Sequence, residues 1–145
     1  MIKNFYTIKK EYDAKKNSEL KKTGIFYAFG DEQWEEEKKP KDAPDNEYLR
    51  IGGGAYIHKS NKSKLDNFFE VILKQLNKDF VDKVGIESII EYELINHECY
   101  YTGNWQDVIT IIENYLDSDI SQRDDVVELI EMVYRKTYEK NTEDF

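Results

Sequence analysis

Basic residues are missing from a long part of this chain. No Lys or Arg lies between residues 86 and 122, although the whole sequence contains 21 basic residues. The same segment carries eight acidic residues, which are Glu87, Glu91, Glu93, Glu98, Asp107, Glu113, Asp117 and Asp119. This gap, together with a formal net charge of −9, argues against non-specific DNA binding, because phosphate contacts require Lys and Arg. A surface of one sign instead favours a partner of the opposite charge.

Cysteine and long apolar runs are also scarce. Cys99 is the only cysteine, so an intrachain disulfide is excluded. No run approaches the roughly 20 apolar residues of a membrane span, and the opening MIKNFYTIKK contains no apolar stretch suited to a signal peptide. We therefore expect a cytosolic protein without a membrane partner, made by a bacterium or by something that replicates inside one.

The length and the aromatic content predict a folded chain. A chain of 145 residues suits a single domain, here 1–145. Eleven Tyr and seven Phe argue against disorder, because aromatic side chains supply the burial that disordered chains lack.

The N-terminal half favours a small sheet. We treat residues 1–24 as an extension, in which 5–12 begin a strand or a helix and Asn17-Ser18 caps a short turn that Gly24 ends. In residues 25–60, the run IFYAF at 25–29 predicts a strand, and short strands follow at 48–51 and 55–57. Between them lies an acidic helix at 31–39, with Trp34 as its anchor, and a loop at 40–46 that holds both prolines.

The C-terminal half reads as helical, with apolar residues at three- and four-residue steps. The predicted helices run from Ser60 or Asn61 to near Gly85, from residue 86 to 96, from Trp105 to Leu116 with Asn104 as N-cap, and from Ser121 to about residue 140. The tail at 141–145 is expected to fray. The predicted class is therefore α+β, with a small antiparallel sheet in the N-terminal half packed by the helical part at 61–140.

A glycine run could form a ligand site. Gly52, Gly53 and Gly54 stand between two short strands, and backbone amides in such a run can hold a phosphate, with Lys59, Ser60 and Asn61 as further contacts. The run lacks the spacing of a phosphate-binding loop or a dinucleotide site. A tight turn or bulge is the interpretation that the pattern favours.

Glu93 and His97 form a second candidate. Their i, i+4 spacing places them on one helix face, where Glu93 could orient His97 or share a divalent metal with it. One carboxylate and one imidazole are too few for a zinc site, so no metal or other cofactor is predicted. A structural His97 at a helix end is the main alternative. Cys99 would not pair with His97 by adjacency, because neighbouring residues on a helix point in different directions.

Aromatic residues bracket the turn that follows. Tyr101 and Trp105 flank Thr102-Gly103-Asn104. They could anchor a protein partner, since Tyr and Trp are typical of interfaces. The alternative is a turn between helices whose rings pack into the core.

Three segments carry a resemblance to a known family. FYAFGDEQWEE (26–36), IGGGAYIHKSN (51–61) and YELINHECYYTGNWQDVI (92–109) resemble a family of small uncharacterised proteins from bacteriophages and prophages. The resemblance covers about residues 25–116, and the helix at 121–140 is expected to be an addition. By context it implies an inhibitor of host defence, of which anti-CRISPR proteins are one kind.

We therefore expect a non-enzymatic, acidic inhibitor that binds a basic surface of a bacterial immune nuclease and does not contact nucleic acid itself. The expected binding residues are Glu87, Glu91, Tyr101, Trp105, Asp107, Glu113, Asp117 and Asp119. The alternative is a small enzyme or a ligand- or metal-binding protein that uses Gly52, Gly53, Gly54, Lys59, Glu93 and His97. A homo-oligomer, paired through the last two helices, is a third hypothesis.

Overall fold

The structure is a computed structural model that describes residues 2–38, 43–117 and 122–143. The helices are α1 (Ile2–Lys21), α2 (Asp31–Lys38), α3 (Lys62–Asn67), α4 (Leu73–Val84), α5 (Ile86–Asn96), α6 (Cys99–Thr102), α7 (Gln106–Leu116) and α8 (Arg123–Glu143). The strands are β1 (Phe26–Tyr27), β2 (Tyr48–Gly52) and β3 (Ala55–His58). This is the α+β class that the sequence predicted, with the sheet in the N-terminal half and a helical C-terminal half.

The chain divides into two compact units. The first unit contains residues Met1–Lys9 and Lys74–Phe145, and the second contains Lys10–Leu73. The single domain expected from the length stays a prediction. None of the helices in the described parts of the chain combines the length and the apolar character that a membrane span requires.

The sheet of the second unit is a short antiparallel arrangement in the order β1-β3-β2. The glycine run forms the turn between β2 and β3, with an irregular register between Arg50 and Gly52, which confirms the predicted turn or bulge. Gly54 has a φ of +81°, and a Cβ there would lie 2.3 Å from the Phe29 ring. Glycine is therefore required at this position for both conformation and space.

Trp34 joins α2 to this sheet, as the sequence predicted. Its ring contacts Tyr48 and Tyr56 at centroid distances of 5.2 and 4.7 Å. Its indole Nε1 donates to Asp45 Oδ1 at 3.0 Å. Hydrogen bonds from Lys38 and Trp34 hold the pKa of Asp45 below its ordinary value, so the end of α2 is tied to the segment that precedes β2.

Of the strand and the helix that the sequence left open for residues 5–12, the structure has the helix, but the separate short turn expected after Asn17-Ser18 was wrong. Residues 2–21 form one helix, and Asn17 and Ser18 lie inside it, where the Ser18 carbonyl accepts from the Lys22 amide. Phe5 and Tyr12 are seven residues apart, so they share a helix face, and both are buried. This face outweighs the capping preference of Asn and Ser. Gly24, at a φ of +90°, stands just beyond the end of the helix, as predicted.

The long helix expected from residue 60 is interrupted. It begins with a 3₁₀ turn at Lys59–Asn61 and contains a π turn at Phe68–Ile72 between α3 and α4. The π turn inserts one residue into the helical repeat, so Phe68 is buried while Phe69 is half exposed. Gly85 follows α4 with a φ of +81°, which confirms the predicted helix end.

Three helices form the core of the first unit. α5, α7 and α8 pack on one another. Their buried residues are Ile89, Ile90, Leu94, Val108, Ile109, Ile112, Val126, Ile130 and Val133. The predicted start of the last helix at Ser121 lies outside the described residues. That helix continues to Glu143, so the fraying expected from residue 141 is not seen through residue 143, because the helical hydrogen bonds extend that far.

Candidate functional site

Ion pairs divide the predicted acidic surface. Glu87 Oε2 lies 3.9 Å from Lys136 Nζ, and Asp117 Oδ2 lies 3.5 Å from Lys74 Nζ. The Glu113 carboxylate lies 3.6 Å from Arg123 Nε. These cations come from outside the segment 86–122. Although the segment itself has no basic residue, basic side chains from other segments therefore lie beside some of its acids. Asp119, also expected to bind, lies outside the described residues.

Three of the segment's described acids form no ion pair with another described residue. Glu91, Glu98 and Asp107 are exposed. No ion pair involves any of them within the described ranges. Glu98 was not among the residues expected to bind.

These acids lie near α6. Burial raises the pKa of the Cys99 thiol, and the Asp107 charge adds to the rise. Burial likewise raises the pKa of Tyr100, and the Glu91 charge adds to it. Since Coulomb effects fall with distance, both carboxylates are close to the first residues of α6. Glu98 directly precedes that helix.

The helix α6 is held from one side and presents a tyrosine on the other. Cys99 is fully buried, and the Tyr100 ring stacks on Tyr134 of α8 at 5.1 Å with an interplanar angle of 8°. The Tyr100 hydroxyl is also hydrogen-bonded to Thr137. Tyr101, in contrast, is 93% exposed. We define the α6 surface as Glu91, Glu98, Tyr101 and Asp107.

Trp105 differs from Tyr101. It is half-buried, and its ring packs edge-on against Tyr134 at 5.1 Å. Of the two predicted aromatic anchors, only Tyr101 projects into solvent. Trp105 thus fits the packing role that the sequence left open, because its ring lies against Tyr134, whereas an interface role for Tyr101 stays a prediction.

Backbone geometry sets the direction of α6. Glu98 and Gly103, on either side of it, have φ values of +53° and +68°. A left-handed conformation is uncommon for a residue such as Glu, and residues of this kind concentrate at functional sites. Beyond the turn, Asn104 Oδ1 accepts from the Gln106 amide at 3.1 Å and caps α7. The N-cap position itself is Trp105, one residue later than predicted.

Glu93 and His97 meet as their spacing predicted. Glu93 Oε2 lies 3.4 Å from His97 Nε2, and the Glu93 side chain is buried. His97 follows the last residue of α5, and its amide donates to the Glu93 carbonyl at 3.0 Å. The Cys99 thiol faces the His97 carbonyl and not the imidazole. Within the described residues, no third ligating side chain joins the pair to form a metal site. This geometry fits a histidine at a helix end, and the role of His97 stays a prediction.

The other alternative residues do not converge. Gly52–Gly54 and Lys59 flank opposite ends of the four-residue strand β3, which separates them by roughly 13 Å. Asn61 is buried. The extended strand keeps the two backbone positions apart, and the anion site expected at Gly52–Gly54 and Lys59 stays a prediction. Glu93 and His97 belong to the other compact unit.

A chain of hydrogen bonds links Ser60, His58 and Glu47, and sequence reasoning missed it. His58 Nε2 lies 3.0 Å from Glu47 Oε2, and its Nδ1 lies 2.7 Å from Ser60 Oγ. The Ser60 amide also donates to Nδ1 at 3.1 Å, so this nitrogen is an acceptor and the proton is on Nε2. The group resembles a serine hydrolase relay in composition. Its observed role is to cap the 3₁₀ turn at Lys59–Asn61.

Comparison with protein-family models matches residues 8–136 to DUF7659, described as a family of unknown function. No curated protein and no solved structure matches the chain. The match agrees with the resemblance to an uncharacterised family. It also includes most of α8, which was expected to be an addition, so the last helix is part of the family's common region for most of its length.

Proposed function

Since the chain belongs to DUF7659, a family of unknown function, we propose its function from geometry: it binds a basic surface of another protein through the α6 surface. The observation that carries this proposal is the 93% exposure of Tyr101 on α6, in a segment with three exposed acids that have no ion-pair partner in the described residues. A tyrosine offers a large contact area with few rotatable bonds, so it loses little conformational entropy when it is buried.

In this proposal the acids attract and orient the partner, and the tyrosine contributes contact area. Unpaired carboxylates steer a basic partner and pair with its Lys and Arg side chains at the rim of the interface. The exposed Tyr101 ring can then enter a pocket on the partner. The helix α6 is already anchored by Cys99 and Tyr100, so presenting Tyr101 requires no rearrangement.

The partner class that we propose is a nucleic-acid-handling protein of bacterial immunity, blocked at its basic channel. The support for it is the acidic character of the α6 surface and the resemblance to phage proteins. An inhibitor of this kind would occupy positions that phosphates otherwise take.

The experiment is affinity capture from bacterial lysate at low salt, with the wild-type protein and Tyr101→Ala used side by side. We expect a nucleic-acid-handling protein that is released by salt and recovered at least about tenfold less by Tyr101→Ala, since a central aromatic anchor contributes on the order of 2 kcal/mol. Screening by salt follows from the exposed position of the acids.

Trp105→Phe is the matched control, because Trp105 packs against Tyr134 and does not project. Its recovery should equal that of the wild type. Equal recovery of the same proteins by Tyr101→Ala and wild type would refute the proposed surface.

A further inference from the structure

The first unit contains a cavity that shares only Glu91 with the α6 surface. Its volume is about 320 Å³, and it lies between the N-terminal turns of α1, the end of α4 and one face of α5. This volume is at the lower end of the range for small-molecule sites, roughly 300–1,000 Å³. It would hold about ten water molecules, so the cavity suits a compact ligand.

Aromatic and aliphatic side chains form the walls. Phe5 and Tyr92 lie 5.3 Å apart between ring centroids, and Tyr6 meets Tyr92 edge-on at 6.0 Å. Ile95 completes this side of the cavity. Its side chain is 58% exposed, and that of Tyr6 is 55% exposed. Binding of an apolar ligand in this cavity would remove the exposed apolar surface of these side chains from water, and this burial contributes favourable free energy.

The cavity also carries one charge of each sign. Lys83, in the last turn of α4, and Glu91, on α5, both line it. No ion pair within the described residues involves either side chain, and the two are not within ion-pair distance of each other. The nearby Lys9 makes a cation–π contact instead, because its Nζ lies over the Tyr92 ring, 5.1 Å from the ring centroid.

We propose that this cavity binds a small zwitterion with an apolar body, namely a free α-amino acid with an aromatic or branched aliphatic side chain. Its carboxylate pairs with Lys83, its ammonium group pairs with Glu91, and its side chain packs against Phe5, Tyr6, Tyr92 and Ile95. A ligand of one charge would leave the other charged side chain at the cavity partly desolvated and unpaired, which costs free energy. The binding does not depend on the basic protein partner.

The test is isothermal titration calorimetry and thermal denaturation of the full chain with L-phenylalanine. Two analogues each lack one charge: 2-phenylethylamine lacks the carboxylate and 3-phenylpropionate lacks the ammonium group. Glycine lacks the apolar body. We expect L-phenylalanine to bind and to raise the melting temperature, and each of the three comparison compounds to bind at least about tenfold more weakly.

Variants assign each contact. Glu91→Gln should weaken L-phenylalanine binding and abolish its advantage over 3-phenylpropionate, while its advantage over 2-phenylethylamine remains. Lys83→Gln should give the opposite pattern. Ser88→Leu, on the α5 face that lines the cavity, should fill it and remove binding while the circular dichroism spectrum stays unchanged.

Absence of any heat or melting shift at about 10 mM L-phenylalanine would overturn the proposal. Equal binding of L-phenylalanine and both singly charged analogues would also overturn it, because the charges would then play no part. Amide chemical-shift changes confined to residues outside the cavity would do the same. A failed capture of a basic protein, with binding of L-phenylalanine retained, would refute only the proposed function.

Discussion

Cys99 and Tyr101 are two residues apart, and their surroundings are opposite. Cys99 is fully buried, whereas Tyr101 is almost fully exposed. Burial raises the pKa of the Cys99 thiol, so its thiolate, which is the reactive form, is rare at neutral pH. Cys99 is therefore a packing residue that holds α6 in place and is not a nucleophile.

We predict that the native protein reacts with a thiol reagent such as DTNB at least about a hundredfold more slowly at pH 8 than the protein unfolded in guanidinium chloride, because reaction requires opening of the structure. In the native state the rate should still be rising with pH at pH 9, since the pKa of Cys99 lies above its ordinary value of 9.0.

The matched control is Cys99→Ser combined with Tyr101→Cys, which moves the single thiol to the exposed position. This variant should react at the rate of the unfolded chain. Equal rates for Cys99 in the native and unfolded protein would contradict the burial that anchors α6.

At the scale of the element, α5 has one side in the core and another at the cavity. Ile89, Ile90 and Leu94 are buried among α7 and α8. The cavity is lined by residues of α5 that recur at steps of three and one, namely Ser88, Glu91, Tyr92 and Ile95. The helix thus connects the stability of the first unit to both proposed binding regions, and Glu91 belongs to each of them.

Alanine substitutions at two isoleucines of α5 test which of its faces lies in the core. Ile90→Ala should lower the free energy of unfolding by about 2–5 kcal/mol, because it leaves a cavity in a packed core. Ile95→Ala removes the same atoms from a side chain that is 58% exposed. It should change the free energy of unfolding by less than about 0.5 kcal/mol. Chemical denaturation monitored by circular dichroism gives both values, and equal losses would place the core on the wrong face.

Periodicity predicted the helices well and their interruptions poorly. The stripes of α5, α7 and α8 were readable because a helix buries every third or fourth residue. The length of α1 was not predicted, because its buried residues Phe5 and Tyr12 are sparse and Asn17-Ser18 resembles a cap, so a helix start at 5–12 was only one alternative. The π turn at Phe68–Ile72 has no signal of its own, since Phe68 and Phe69 both fit an apolar stripe.

At the scale of the molecule, the charge gap at 86–122 contains both paired acids and the acids of the α6 surface, and the binding role of this region stays a prediction. Glu91, Tyr101 and Asp107 belong to the α6 surface, as the sequence analysis expected. Glu87 and Glu113 instead contact cations of α8, and Asp117 contacts a cation of α4. These pairings join residues distant in sequence, so charge counting along the chain could not reveal them.

Net charge alone could attract a basic partner, and a control must separate it from the α6 surface. The exposed acids of α2 offer one, because Glu32, Glu36 and Glu37 have no ion-pair partner among the described residues. The variant Glu32→Gln, Glu36→Lys and Glu37→Lys changes the net charge by the same amount as Glu91→Lys, Glu98→Lys and Asp107→Asn, and glutamine at 32 keeps a cation out of the first turn of α2. Asparagine at 107 avoids placing a cation in the first turn of α7, where it would oppose the helix dipole.

The decisive measurement is the affinity of these two variants for the partner captured by the wild-type protein, determined by calorimetry at low salt. The α6 variant should bind about tenfold to a hundredfold more weakly, since each lost rim charge contributes up to about 1 kcal/mol. The α2 variant should bind within about threefold of the wild type. Equal weakening by both variants, with both still folded, would mean that overall charge and not the α6 surface determines binding.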